Sequence, residues 1–374
     1  MLLFGIYTLI FFYSQMVNAV DVPTENKGEQ DMITILRDAV NKSPILASKN
    51  ITIGAGTSGL NAFRTNIHNT TLETQHYSIK LKSSVDQTAE KNLKHTLDKQ
   101  ARILLTWQWL DGMSELKNVI IIVPAHALDE RFEALRQKNV NLIETDGVLH
   151  TRTREEVLNS NSDSIADNIS IVVMLPGDTQ QEDGSWKLYN AEMATELIQN
   201  LPKSAILILN GPRTGKFVSS ANGLMQDGKA HRDGIDYITA LVAKYKEEVG
   251  ASWDIRDFKY GHESIWRAAL KFCLEHENVA LILPGESTSM ISEALSLGLK
   301  PILYSHTAMT NSSRIYVNGL IDNGRAIAYE NFYHSSADNS GVNTHLGDHN
   351  NYHQDSPPNA ILGVVEQLES IYIE

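Results

Sequence analysis

Short apolar runs alternate with amphipathic stretches along most of the chain. In the C-terminal half, turn residues end the runs ISIVVMLPGD, SAILILNGPRTG, VALILPG and PILYS, as is typical of buried parallel strands. Between these runs, apolar residues recur with helical spacing, as in NAEMATELIQNL and SMISEALSLG. The alternation predicts a parallel, doubly wound sheet and therefore an α/β fold.

The N-terminal half carries a second series of the same kind. MITILRDAV and ERFEALRQ have helical spacing, whereas NITIGA, RILLTWQWL, NVIIIVPAH and VNLIETDG are short apolar runs typical of strands. Residues 65–100 are polar and predict a loop with one exposed helix. Together the two series predict an α/β protein with two Rossmann-like, doubly wound domains.

A chain of 374 residues has room for two domains. The polar stretch NSNSDSIADN marks the predicted linker between them. We predict an apolar leader and linker (1–30), an N-terminal domain (31–165), a C-terminal domain (166–330), and a mobile loop with a closing amphipathic helix (331–374).

The first residues, MLLFGIYTLIFFYSQMVNA, resemble a cleavable secretory leader, because an apolar run ends in small residues. No Lys or Arg precedes this run, so a membrane anchor and a mis-assigned start remain alternatives. A leader or anchor predicts a secreted, periplasmic or membrane-anchored protein, and otherwise we expect a cytoplasmic one. Membrane contact is expected only through this segment.

The charge and cysteine content exclude some classes of function. A net charge of −13 repels phosphate backbones, so nucleic acid is not expected as a partner. The single cysteine, Cys273, excludes an intrachain disulfide framework. The histidines near the C-terminus are irregularly spaced, which favours a solvated loop over a metal site; they are His334, His345, His349 and His353. We expect no metal and no required cofactor.

The segment LPGESTSMISEA places hydroxyl groups where a strand passes into a helix. Ser287, Thr288 and Ser289 lie where the first helical N–H groups lack internal partners, so this turn is suited to holding a phosphate. Glu293, on the same helix face, is suited to accept hydrogen bonds from ribose hydroxyls. The alternative is that the hydroxyls are ordinary helix caps and Glu293 a surface carboxylate.

A second strand end, in LILNGPRTGK, carries basic residues. Arg213 and Thr214 lie where ligands of open α/β sheets gather, and a cation there suits an anionic ligand. The spacing does not satisfy a P-loop, and a turn with solvated basic residues is the alternative. Gly177, at a third strand end, leaves room for a ligand to approach.

The N-terminal half offers two weaker candidates. GAGTSG is a formal G-x-G-x-x-G match, but no acidic residue follows at a strand end about 20 residues on, as a dinucleotide site requires. His126 ends the run NVIIIVPAH and is placed to act as a general base, or else it is a hydrogen-bonded turn residue.

Several segments, in order, resemble the mitochondrial-fission-protein family of the elongated-mitochondria type. ILPGESTSMISEALSLGLKPILY is similar to that family's V-T-x-D-S-x-S-M-x-S-E-A-x-x-x-G-K-P-V-Y block. VPAHAL, ETDGVLHTRT, LPGDTQQEDGSW, NGPRTG and PPNAILGVVEQL resemble its other conserved segments. The resemblance runs from about residue 50 to 370, and only the Ser-Met-x-Ser-Glu-Ala block is specific by itself.

This resemblance implies a GT-B-like fold, in which two Rossmann-like domains face each other across a cleft, with a shortened N-terminal domain. It assigns Ser287, Ser289 and Glu293 to a nucleotide-binding C-terminal domain, and the three residues from the other strand ends (Gly177, Arg213 and Thr214) to neighbouring cleft loops.

The sequence departs from the family pattern at three positions. Glu286 replaces the Asp before the first Ser, Pro212 replaces the first Arg of the R-R-T turn, and Ala127 replaces the Asp after the strand-end His. These departures weaken a catalytic role for the N-terminal half more than they weaken the C-terminal pocket.

The resulting hypothesis is a GT-B-like protein that binds a nucleotide-sugar and transfers the sugar without a metal, with His126 as base. One alternative is a non-catalytic scaffold of the same fold that recruits protein partners, as in organelle fission. A third hypothesis is a sugar-nucleotide epimerase.

Overall fold

A computed structural model describes most of the chain outside its N-terminus and a few internal segments. The described residues are 19–21, 27–49, 51–56, 60, 63, 101–107, 109–116, 119–136, 141–145, 147–150, 152–161, 164–181, 185–215, 217–220, 223–226, 236–258, 265–334 and 360–373. The apolar segment before residue 19, the polar segment 65–100 and His345, His349 and His353 lie outside these ranges.

The elements follow the predicted alternation. The strands are β1 (Ala19–Asp21), β2 (Ile51–Ala55), β3 (Ala101–Leu105), β4 (Val119–Pro124), β5 (Asn141–Thr145), β6 (Ile171–Met174), β7 (Thr179–Gln180), β8 (Trp186–Lys187), β9 (Ile206–Leu209), β10 (Phe217–Ser220), β11 (Gly223–Gln226), β12 (Trp253–Arg256), β13 (Ala280–Pro284), β14 (Ile302–Tyr304) and β15 (Ile327–Ala328). The helices are α1 (Lys27–Lys42), α2 (Glu130–Arg136), α3 (Arg154–Leu158), α4 (Ala191–Gln199), α5 (Tyr237–Val249), α6 (Ile265–Glu275), α7 (Thr288–Ser296), α8 (Asn311–Asp322), α9 (Tyr329–His334) and α10 (Ala360–Ile373).

The chain divides into two compact units. Residues 1–151 and 359–374 form the first unit, and residues 152–358 form the second. The polar stretch NSNSDSIADN lies inside the second unit, and the closing helix α10 belongs to the first. Each unit has a parallel sheet with helices, so the predicted α/β fold with two Rossmann-like domains is confirmed.

The first unit is built on five parallel strands in the order β1-β2-β3-β4-β5. Strand β4 is buried at every position, which explains its continuous apolar run. Side chains of α1 and α10, including Leu36 and Leu368, share one core cluster, whereas Phe132 of α2 belongs to another. The linker predicted up to residue 30 was wrong in part, because β1 pairs with β2 and α1 begins at Lys27.

The second unit is built on six parallel strands in the order β12-β9-β6-β13-β14-β15. Successive residues of β6 point to opposite faces: Ile171 and Val173 join one core cluster, and Val172 and Met174 the other. Cys273 packs in the second cluster as a small apolar residue, and burial raises the pKa of its thiol to about 12.

The first strand of this unit, β6, lies in the middle of the sheet. The chain builds β9 and β12 on one side of it and then returns to build β13, β14 and β15 on the other. The winding direction therefore reverses between β6 and β13. In open α/β sheets, ligands bind outside the carboxyl ends of the strands at such a switch point.

Helix α9 extends further than the sequence predicts. Residues 331–334 were predicted in a mobile loop, but they complete helix α9; the rest of that segment, up to residue 359, lies outside the described residues. Within the described part of the chain, no helix has the length and apolar character needed to cross a bilayer.

Candidate functional site

A buried hydrogen-bonded chain joins three strand ends of the second unit. The backbone N–H of Gly177, after β6, donates to Oε1 of Glu286, after β13, at 2.8 Å. Oε2 of the same carboxylate lies 2.8 Å from Nε2 of His306, after β14. The side chains of Glu286 and His306 are each 1% exposed. Hydrogen bonds between buried polar groups therefore hold these three strand ends together at the switch point.

The pKa of Glu286 reflects opposing effects of this environment. Burial, the largest effect, raises the pKa, but the hydrogen bond and charge of His306, the N–H of Gly177 and the charge of Arg213 together lower it below its usual value. The carboxylate is therefore ionised at neutral pH. Nδ1 of His306 is buried and has no hydrogen-bond partner in the described part of the chain.

Gly177 permits the loop after β9 to approach the loop after β6. The N–H of Asp178 donates to the carbonyl of Arg213 at 2.9 Å. A Cβ atom on Gly177 would lie 2.7 Å from Cβ of Arg213, closer than carbon atoms pack. The absence of a side chain at Gly177 makes room for the loop that carries Arg213. The sequence had instead predicted that this space admits a ligand.

Arg213 and Thr214, predicted together, occupy different environments. The hydroxyl of Thr214 is buried, accepts from the N–H of Gly211 at 3.1 Å and donates to the carbonyl of Leu175 at 3.4 Å. It stabilises the turn. The guanidinium of Arg213 is partly exposed and forms no hydrogen bond or salt bridge with any described residue. Arg213 is therefore the side chain of this loop that is available to an anion.

Helix α7 begins at Thr288, two residues after Glu286. Ser287 occupies the N-cap position, but its side chain forms no capping hydrogen bond, so the simple capping alternative does not hold for this residue. The first helical N–H groups, those of Thr288, Ser289 and Met290, find no acceptor among the described residues. The positive end of the helix dipole and these three donors are therefore available to an anion.

Glu293 lies on α7 and is only 16% exposed, so it is not a surface carboxylate. Its Oε2 accepts from Nε of Arg152 at 2.5 Å and from Nε1 of Trp266 at 2.8 Å. These contacts tie α7 to α6 and to the residues that precede α3. Its Oε1 forms no hydrogen bond with the described residues, so the predicted role in binding ribose stays a prediction.

His126 belongs to the first unit, in the short turn Ala125–Ala127 that follows β4. Burial lowers the pKa of its imidazole to about 4. The ring is therefore neutral at neutral pH and is a weaker base than an exposed histidine. In the glycine motif GAGTSG, Gly54 lies in strand β2 and Gly56 has a φ of 52°, whereas Gly59 lies outside the described residues.

Two residues of the buried chain were not selected from the sequence. Glu286 was noted only as a departure from a family pattern, and His306 was not singled out. The signal for His306 was the same as the one used for His126: a histidine directly after a buried strand, PILYS.

The comparison with solved structures finds a structural likeness. The structure is similar to the crystal structure of Acinetobacter baumannii MurG, with a TM-score of 0.48 and 12% sequence identity over 94% of this chain and 99% of that chain. A likeness at this score supports no argument about this chain. No protein-family model matches the chain, and the search of curated proteins finds no significant match. The resemblance to the mitochondrial-fission family therefore gains no support from these comparisons.

Proposed function

We propose that the second unit binds a nucleotide-sugar at the carboxyl ends of β6, β9 and β13, and that the protein is a GT-B-like, metal-independent glycosyltransferase. The observation that carries this proposal is the group of unpaired donors at the switch point. The first N–H groups of α7 and the guanidinium of Arg213 border loops that the Gly177–Glu286 hydrogen bond holds together.

A diphosphate is the ligand group that fits these donors best. Helix N-termini bind phosphate through free N–H groups and the helix dipole, and an arginine adds charge-assisted hydrogen bonds. Both oxygens of the Glu286 carboxylate are engaged by Gly177 and His306, so the carboxylate does not compete with a ligand for the free N–H groups of α7. In this proposal Ser287, Thr288 and Ser289 contact the phosphates, and Oε1 of Glu293 accepts from a ribose hydroxyl.

The donors also supply what sugar transfer requires. As the acceptor oxygen bonds to the anomeric carbon, the bond to the diphosphate breaks and negative charge grows on the leaving group. Arg213 and the helix N–H groups would stabilise that charge, which is the task a metal ion performs in other transferases. His126 stays the predicted base that would take the proton of the acceptor hydroxyl.

Calorimetric titration with UDP-, GDP-, ADP- and CMP-linked sugars tests the proposal. We expect saturable binding of at least one of them in the absence of divalent metal. Folded protein that binds none of them would contradict it. A second titration in the presence of EDTA checks the metal independence separately.

A non-catalytic binding protein or scaffold is the second candidate, and one observation favours it. His126 has a pKa of about 4, far below the value near neutrality that suits a general base. Under this candidate, a nucleotide-sugar binds but neither transfer nor hydrolysis occurs. Release of the nucleoside diphosphate, followed by chromatography with mixed acceptor sugars, distinguishes the two candidates.

A further inference from the structure

A second feature of the same unit is a polar cavity of about 390 Å³ beside helix α8. Polar side chains contributed by the β7–β8 hairpin and by the start of α8 line it: Gln181, Lys187, Thr310, Asn311 and Arg314. This volume lies within the range of small-molecule sites. We refer to it below as the Lys187–Arg314 cavity.

The charge of this cavity is opposite to that of the chain. The protein carries a net charge of −13, yet the described residues that line the cavity include two cations and no acid. The side chain of Lys187 forms no hydrogen bond or ion pair with the described residues. One nitrogen of Arg314, Nη2, donates to the carbonyl of His306 at 2.5 Å, which fixes the guanidinium and leaves its other N–H groups available. Two uncompensated cations in one cavity attract an anionic group.

The cavity borders the switch-point site. Met309 lines it and also packs against the loop after β13, since a Cβ atom on Gly285 would lie 2.5 Å from its methyl group. Arg314 contacts the backbone of His306, whose ring bonds to Glu286. Met309 and His306 therefore connect the wall of the cavity to the loop that leads into α7.

We infer that the Lys187–Arg314 cavity binds a carboxylate of the ligand, and that the nucleotide-sugar bound by this protein carries an acidic sugar, such as a uronate. This inference rests on the proposed function for the nucleotide part of the ligand. Lys187 and Arg314 would pair with the carboxylate, while Gln181 and Asn311 would bond to sugar hydroxyls. Neutral sugars would leave both cations unpaired.

Matched ligand pairs test the inference. Affinities are measured by calorimetry for UDP-glucuronate against UDP-glucose and for GDP-mannuronate against GDP-mannose, with D-glucuronate and D-glucose at millimolar concentration as probes without a nucleotide. We expect the acidic member of at least one pair to bind about tenfold more tightly. This preference should shrink at higher ionic strength, because exposed charges are screened, whereas a preference based on shape would persist.

Variants identify the cations responsible. Lys187→Gln is expected to reduce the preference at least threefold, and Lys187→Glu to abolish or reverse it. Because Arg314 also holds the carbonyl of His306, Arg314→Lys serves as the conservative change and should keep most of the preference. The matched control is Lys244→Gln, since Lys244 is 78% exposed on α5 and does not line the cavity.

The outcomes separate this inference from the proposed function. Equal affinities within both pairs, or a preference unchanged in Lys187→Glu, would overturn the inference and leave nucleotide-sugar binding intact. Binding of D-glucuronate that Lys187→Glu abolishes, with no binding of any nucleotide-sugar, would support the cavity and overturn the proposed function. If neither D-glucuronate nor any nucleotide-sugar binds the folded protein, both are overturned.

Discussion

The backbone N–H of Gly177 donates a 2.8 Å hydrogen bond to the buried carboxylate of Glu286. The two residues follow strands β6 and β13, which are neighbours in the sheet but distant in the sequence. This bond sets the position of the loop after β6 relative to the start of α7. The shape of the candidate phosphate site therefore depends on a hydrogen bond within the protein and not on a bound ligand.

Gly177→Ala tests the close approach of the loops after β6 and β9. The new Cβ would overlap Cβ of Arg213, so we expect a loss of about 1–3 kcal/mol in the free energy of unfolding and weaker ligand binding. Urea denaturation measures the first effect and calorimetry the second. Gly211→Ala, in the same loop as Arg213, is the matched control, because its Cβ would meet nothing within 4 Å. Equal stability of the two variants would contradict the packing argument.

Glu286→Gln tests the buried charge. Gln keeps the shape but loses the attraction to His306, so we expect destabilisation of about 1–3 kcal/mol at pH ~7. The folded-state pKa of Glu286 is lowered, so its stabilising effect is present above the ordinary value of 4.5 and is lost as the pH falls through the folded value. Urea unfolding curves recorded from pH ~7 down to ~3 should show a smaller loss of stability in the variant than in the wild type. Parallel pH profiles would count against an ionised Glu286.

Arg213→Gln separates ligand binding from stability. The guanidinium has no hydrogen-bond partner among the described residues, and its charge is the smallest of the effects on the pKa of Glu286. We therefore expect the free energy of unfolding to change by less than about 1 kcal/mol. Affinity for a nucleoside diphosphate should fall about tenfold or more, since a hydrogen bond to a charged group contributes ~1.5–3 kcal/mol. Calorimetry on this variant and on Lys244→Gln checks the difference. An unchanged affinity would remove Arg213 from the site.

The sequence predicted the architecture better than the site. Strands such as the one in VALILP are buried on both faces, so every position is apolar and the strand can be recognised from the sequence. The start of α7 was also located from sequence, because a turn after a buried strand exposes helix donors. In contrast, the partners of Glu286 and Glu293 come from distant strands and helices. His306 and Arg152 contact these carboxylates because the fold brings together segments that are far apart in the sequence, and residue spacing does not show which segments become neighbours.

Glu293→Gln examines the carboxylate that Arg152 and Trp266 share. Gln can still accept from the indole N–H, but the ion pair with Arg152 is lost, so we expect destabilisation of about 1–2 kcal/mol. Trp266→Phe removes only the indole donor and is the comparison variant. If Oε1 binds ribose, Glu293→Gln lowers affinity for a nucleoside diphosphate more than for inorganic pyrophosphate. An equal effect on both ligands would assign Glu293 to structure alone.

His126 offers a pH-dependent test in the first unit. Its folded-state pKa of about 4 lies below the ordinary value of 6.5, so the unfolded chain takes up a proton first and stability falls as the pH drops between these values. NMR titration of the imidazole should give a midpoint near the lower value. His126→Gln should reduce the dependence of stability on pH in this window. A midpoint near 6.5 would show that the ring is not desolvated.

Hydrogen–deuterium exchange is the most direct test of the switch-point site. Exchange is measured on the whole protein with and without a millimolar mixture of UDP-, GDP-, ADP- and CMP-linked sugars, so the identity of the ligand need not be known. We expect slower exchange in the segments after β6, β9 and β13, with the strongest effect at the start of α7. Unchanged exchange throughout, or protection confined to other parts of the chain, would contradict this expectation.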